Sequence, residues 1–414
     1  MKIKIKLIRK VEQATSAQVV ASNDDLLIEI LLRLPIKSLI RFKLVSKHWH
    51  SLITDPKFCH LRNPKPNPAL GLFLLPRLNY YVIPCFEYVP FSVQEPTNPS
   101  LLKLKFTKDP HGISIVQSCN GLLLCSSFQA HEPNRRYYVY NPTTKHFTTF
   151  PKTDQETGIR KKIRGMYLAF DPAKSPHYKV VCVRHVELDQ GEYEYQIEVY
   201  SSETGPWIVS SQHFTAEVNF EEGVYWSGSI HWISYEKVES LYFNVDEKRL
   251  ETTPLPPFLD GWMGRSNYYF GESCDHLNFI QTFGSQCQFN VYEMKRDYSE
   301  WFVKYEVDLS PLVTTFSGMI SSYLNPMDWY FSRSILCLIR GEKEKDSFLV
   351  LQIPGKVIRY NLVCKTFETL HECAEVKDVL SFTYGSQHID KDVEEVLSFT
   401  WTIGFQHIES LCCV

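Results

Sequence analysis

The chain has 414 residues, of which 44% are hydrophobic, so it can bury a substantial core and has room for one large domain and a small one. Its formal net charge of −3 gives none of the polybasic field that nonspecific phosphate binding requires, which argues against a nucleic-acid partner. No stretch reaches the roughly 18 apolar residues of a membrane helix; ALGLFLLP, the longest, ends at Pro76.

The first segment, MKIKIKLIRK, alternates lysines with aliphatic residues, and residues 1–20 read as a basic flexible tail rather than a secretion signal. The twelve cysteines are scattered and form no CxxC pair, so reduced thiols fit better than disulfides or a structural metal site, and no metal or cofactor is expected. These features favour the cytoplasm, the nucleus or both.

Residues 21–61 are patterned as helices. Ser22 or Asn23 is placed to cap a first helix that opens on Asp24 and Asp25 and stops at Pro35. A second helix is expected from about Lys37 to Lys43 and a third from about Ser46 to Thr54, ended by Asp55-Pro56. In the first helix Asp25, Glu29 and Arg33 make one narrow polar stripe, and nearly everything else is apolar. Three short helices cannot bury that much surface by themselves, so another surface is expected to cover part of it: this chain's own β domain or another protein. Prolines 64, 66 and 68 make residues 62–68 a stiff linker, which favours a separate module and a separate partner.

From residue 69 to about 390 the pattern changes to short runs rich in aromatic and branched residues, divided by turn signals such as Asn120-Gly121 and Asn141-Pro142. A unit recurs five times, beginning at SCNGLLLCSS, YLAFDPAKSPHYKVVCV, GVYWSGSIHWIS, NFIQTFGSQCQF and SILCLIRGEK. Spacings of roughly 45 to 60 residues suit four-stranded propeller blades, and the strands of residues 69–106 together with the C-terminal tail supply about one more. The expected fold is therefore mainly β, a small helical module followed by a β-propeller-like domain of about six blades; a large antiparallel sandwich or open barrel is the alternative. In residues 391–414 the pattern of VKDVLSFTYGSQHID returns as VEEVLSFTWTIGFQHIES, and only one copy is needed to close a ring, so the other is expected to be surplus and loosely packed.

The string DDLLIEILLRLPIKSLIRFKLVSKHWHSLITDPKF closely resembles the F-box, the module through which substrate receptors dock onto the Skp adaptor of SCF-type cullin-RING ubiquitin ligases. The body, in SCNGLLLCSS, YVYNPTTKHFTTFP and GVYWSGSIHWIS, is similar to the F-box-associated interaction domain of plant F-box proteins. The resemblance implies a non-catalytic receptor that holds the adaptor at its amino end and a target protein on its β domain. It implies that Leu26, Ile30, Leu34, Pro35, Leu39, Val45 and Trp49 supply adaptor-facing and core surface. Where the family opens with Leu-Pro, this chain has Ser22-Asn23.

For the target, two stretches stand out. GIRKKIRG carries Arg160, Lys161 and Lys162, a basic cluster suited to an acidic or phosphorylated segment, and DGWMGRSNYY places Trp262, Arg265 and Tyr268 in an expected loop between blades. The competing readings find little support. No GxSxG, HExxH, GxGxxG or phosphate loop marks an enzyme, and GESCDHLNF, with Glu272, Asp275 and His276, reads as a surface turn. His48 and His50 read as a solvated pair, and the basic helices carry too many apolar residues between their charges for a DNA-binding helix-turn-helix.

Overall fold

In the computed structural model the chain divides into two units, Met1–Pro64 and Lys65–Val414, a boundary inside the expected linker. The structure describes residues 20, 22–62, 68–76, 84, 86–92, 104–110, 112–128, 135–151, 161–187, 193–211, 213–234, 239–257, 266–283, 286–316, 320–321, 330–331, 333–372, 402–412 and 414. The basic tail before Val20 and the first of the two C-terminal copies lie outside the described residues.

The first unit contains α1 (Asp24–Leu32), α2 (Ile36–Phe42), α3 (Lys47–Thr54) and α4 (Pro56–Arg62). Asn23 caps α1 by accepting from the Leu26 amide at 3.2 Å, and Ser46 caps α3 by accepting from the Trp49 amide at 3.1 Å. The fourth helix was not expected. Asp55-Pro56 does end α3, but Pro56 also occupies the first position of α4, where proline is favoured, and the Asp55 carboxylate accepts from the Lys57 amide at 2.7 Å. Leu27, Leu31, Ile36, Leu39, Ile53, Phe58 and Cys59 form the core of the module. Two polar contacts close it: Arg62 donates to the Leu32 carbonyl at 2.9 Å, and His48 meets Asp24 at 2.9 Å. His48 and His50 are both exposed, as expected of a solvated pair, and the His48 contact ties α3 to the start of α1.

The second unit is a ring of six sheets. In chain order its strands are β1 (Gly71–Pro76), β2 (Glu87–Pro90), β3 (Ile113–Cys119), β4 (Leu122–Ser127), β5 (Tyr137–Asn141), β6 (His146–Thr149), β7 (Lys161–Ala169), β8 (Lys179–Glu187), β9 (Tyr193–Ser201) and β10 (Gly205–Val209). There follow β11 (Val224–Trp226), β12 (Ser229–Trp232), β13 (Glu239–Asn244), β14 (Arg249–Pro254), β15 (Ser266–Ser273), β16 (His276–Phe283), β17 (Gln288–Met294) and β18 (Trp301–Asp308). After α5 (Ser310–Thr315) and a ribbon of β19 (Ile320–Ser321) with β20 (Tyr330–Phe331) come β21 (Ser334–Ile339), β22 (Phe348–Ile353), β23 (Lys356–Asn361), β24 (Phe367–Glu372) and β25 (Thr402–His407).

Each blade is an antiparallel meander, and the inner strands β3, β7, β11, β15, β21 and β25 touch in that order and back to β3. The ring closes with β25 as the inner strand beside β1 and β2, pairing Gly71 with His407 through Pro76 with Thr402. The closing strand therefore belongs to the second of the two C-terminal copies. Apolar side chains fill every gap between neighbouring blades; Trp226, Leu277 and Met294 fill one of them. The sandwich alternative is thereby excluded.

Turn chemistry explains why the meanders form. Asn120-Gly121, Ser227-Gly228 and Cys274-Asp275 take positive φ at both positions, the two-residue turn whose twist matches a hairpin. Between third and fourth strands, the side chains of Asn141, Asn244 and Asn361 each accept from the amides two and three residues on. A left-handed residue then completes those turns: Lys145, Lys248 and Lys365.

Candidate functional site

On the helical module, the residues expected to face a partner separate by burial. Leu26 and Ile30, one turn apart on α1, are 46% and 47% exposed; Val45, between α2 and α3, is 60% exposed, and Pro35 is exposed too. Leu34 and Trp49 are half-buried, with Trp49 packed edge-on to Phe42 at 5.3 Å. Leu39 is 0% exposed, a correction: it points from α2 into the module's own core and is closed to any partner. Leu44, which sequence reasoning misses, is 87% exposed. Its signal is its position, since Leu44 and Val45 directly precede the Ser46 cap and so belong to no helix face. Five apolar side chains, Leu26, Ile30, Pro35, Leu44 and Val45, are thus exposed on a module whose core is built from other residues.

In the propeller, every inner strand begins at one end of the ring, the entry end, and finishes at the other. Lys161 opens β7 and Ser266 opens β15, so these two strands start at the same end, on either side of β11. Arg160, Trp262 and Arg265 lie outside the described residues, and Lys161 is described only as the first residue of β7. Lys162 is exposed, as is Arg164. Tyr268 is a correction: it lies within β15 rather than in an interblade loop, because Ser266–Ser273 pairs along its whole length with β16. Its hydroxyl donates to the Glu222 carboxylate.

The expected surface turn at GESCDHLNF is also corrected in part. Cys274-Asp275 is a hairpin turn, but Glu272 packs inward, and burial, with the charges of Asp275 and Asp171, pushes its carboxyl up to about 7 against the opposing hydrogen bond from the Asp275 amide at 2.6 Å. His276 bonds Glu293 at 2.9 Å, and Arg340 lies 3.4 Å from the same carboxylate, which joins two blades. Nearby His231 is held low, to about 4, by burial. Its ring is neutral, which lets one nitrogen donate to the Val224 carbonyl at 3.3 Å and the other accept from the Tyr298 hydroxyl at 3.0 Å. These groups are spent on joining strands and blades. Among the described residues, no three of His, Cys, Asp and Glu lie close enough to hold a metal.

Comparison with known proteins separates the two units in the same way. Residues 23–61 match the F-box domain family, and residues 82–263 match the F-box associated beta propeller domain family. The F-box protein At5g07610 of Arabidopsis thaliana is 35% identical over 86% of this chain and 87% of its own length. The chain belongs to the F-box protein family. A second Arabidopsis thaliana relative, the F-box protein At5g49610, is 28% identical over 62% of this chain and 71% of its own length. Among solved structures, an oligogalacturonate lyase from Vibrio parahaemolyticus is similar at a TM-score of 0.40 and 10% identity, over 72% of this chain and 79% of that one. In this F-box protein, Asn23, which stands where the resemblance led one to expect Leu-Pro, is the cap of α1.

Proposed function

We propose that this F-box protein is the substrate-receptor subunit of an SCF-type cullin-RING ubiquitin ligase. The F-box would dock a Skp adaptor, and through it the cullin, while the propeller would hold a target protein. The observation that carries this reading is the exposure of five apolar side chains, Leu26, Ile30, Pro35, Leu44 and Val45, on a module whose core is built from other residues. Covering one such Leu or Ile with a partner is favourable by about 1.5–3 kcal/mol.

The receptor works by tethering rather than by chemistry. Holding the target near a ubiquitin-charged enzyme raises the effective concentration of its lysines, so no residue of this chain need act as acid, base or nucleophile. The membership of the F-box family supports that non-catalytic role. Cytoplasm or nucleus, where such ligases and their targets meet, is the proposed location.

Capture of purified Skp adaptor by the full chain tests the reading. The intact chain is expected to form a complex on size exclusion, and Leu26→Asp with Ile30→Asp is expected to abolish it while the melting temperature stays put. A complex unaffected by the double substitution would mean that these exposed apolar residues are not the dock.

A further inference from the structure

The entry end of β7 differs from every other strand of the propeller in how its charges are spent. Elsewhere, each described strand cation has a carboxylate partner: Lys179 with Asp246, Arg184 with Glu198, Arg249 with Glu251, Lys304 with Glu344, Lys356 with Glu372, and Arg359 with Glu368. Lys162 and Arg164 are exposed and have no ion pair among the described residues.

Arg164 also sits at a special backbone position, one that Val116 of β3 and Leu336 of β21 occupy on their own inner strands. The pairing of β7 with β8 runs from Ile163 opposite Arg184 directly to Gly165 opposite Val183, so Arg164 is the extra residue of a β-bulge. Bulges re-aim a side chain away from the regular pleat and recur beside binding sites. Immediately after the bulge the strand is locked in place. A Cβ on Gly165 would lie 2.3 Å from the Phe220 carbonyl and against the Tyr167 ring, and from Gly165 to Ala169 the strand is buried. Two cations with no ion pair among the described residues are thus presented from an inner strand at the entry end of the ring.

We infer that Lys162 and Arg164 form an anion-reading edge of the target site and that the segment they read is an extended, carboxylate-rich stretch of the target protein. This rests on the receptor reading and names the chemistry of its target. One observation favours carboxylates: the other described strand cations of this propeller are satisfied by Asp or Glu.

The test uses the full chain and a fluorescent peptide of alternating Glu and Ser with blocked ends, read by anisotropy at low and at physiological salt. The peptide is expected to bind, to weaken as salt rises, and to lose about tenfold in affinity to Lys162→Gln with Arg164→Gln. A peptide with Gln in place of Glu is expected not to bind. Absence of binding, equal binding by the double variant, binding only of a phosphoserine peptide, or equal binding of a single-stranded oligonucleotide would each overturn the inference. Adaptor capture measured on the same preparations separates the two claims: if it persists while the Glu peptide fails, the anionic-target inference alone falls.

Discussion

At the scale of single residues, the F-box separates two roles that the sequence leaves merged. Leu39 and Ile30 are both aliphatic residues on apolar helix faces, yet one is sealed in the core and the other is 47% exposed. Leu39→Ala is expected to cost about 2–5 kcal/mol of stability in chemical denaturation, whereas Ile30→Ser should fall within about 0.5 kcal/mol of the native chain and act only on adaptor capture. A large loss of stability from Ile30→Ser would place that side chain in the core instead. Glu272 allows a second test. Its carboxyl titrates near 7 in the folded chain against an ordinary value of 4.5, so between those pH values the native state holds a proton that the unfolded state has released. Stability therefore falls as pH rises from about 4.5 to 7. Glu272→Gln is expected to raise the melting temperature at pH 8 and to leave it nearly unchanged at pH 4, with a ceiling of about 3 kcal/mol that the partial exposure of the side chain reduces. Equal effects at both pH values would show that Glu272 is not the group responsible.

At the scale of elements, the blades are legible because turns and periodicity are local. Asn-Gly pairs, the recurring Asn that ends a third strand, and alternating apolar residues each act within a few positions, so the five repeated units map onto five of the blades. Tyr268 escapes that logic because the repeat is most visible from NFIQ onward, which leaves the aromatic run SNYYFGES looking like a loop when it is the inner strand β15. The sixth blade needs a partner from the far end of the chain, and its register is fixed by tertiary pairing that no local pattern carries. The role of the segment after β25 is equally invisible in the sequence. Ser410, Leu411 and Cys412 are buried, Asn141 donates to the Ser410 and Cys412 carbonyls at 3.0 and 2.9 Å, and Thr143 accepts from the Ser410 amide at 3.2 Å. This clasp secures the closing strand across the turns of the next blade. Asn141→Ala should therefore cost about 2–4 kcal/mol in denaturant unfolding, against about 1 kcal/mol for Asn361→Ala, whose side chain serves an exposed turn and donates to the Lys345 carbonyl of its own blade. Equal costs would show that the clasp adds nothing.

At the scale of the whole molecule, the chain joins a small helical unit with unspent apolar surface to a large ring whose buried polar groups serve its own structure. Size, patterning and the long ungapped match to the F-box make that division readable from the sequence. Which apolar residues are spent on the core, and which strand cations are paired, depends on packing between distant segments, which no local pattern carries. The account stands on the claim that residues 22–60 are a ligase dock. Co-purification of Skp adaptor and cullin with the intact chain, beside a chain lacking residues 22–60, tests it most directly. The account predicts that the intact chain brings down both proteins and the deletion brings down neither, with the propeller still folded. An intact, folded chain that captures no adaptor, or a deletion that captures it equally well, would contradict it.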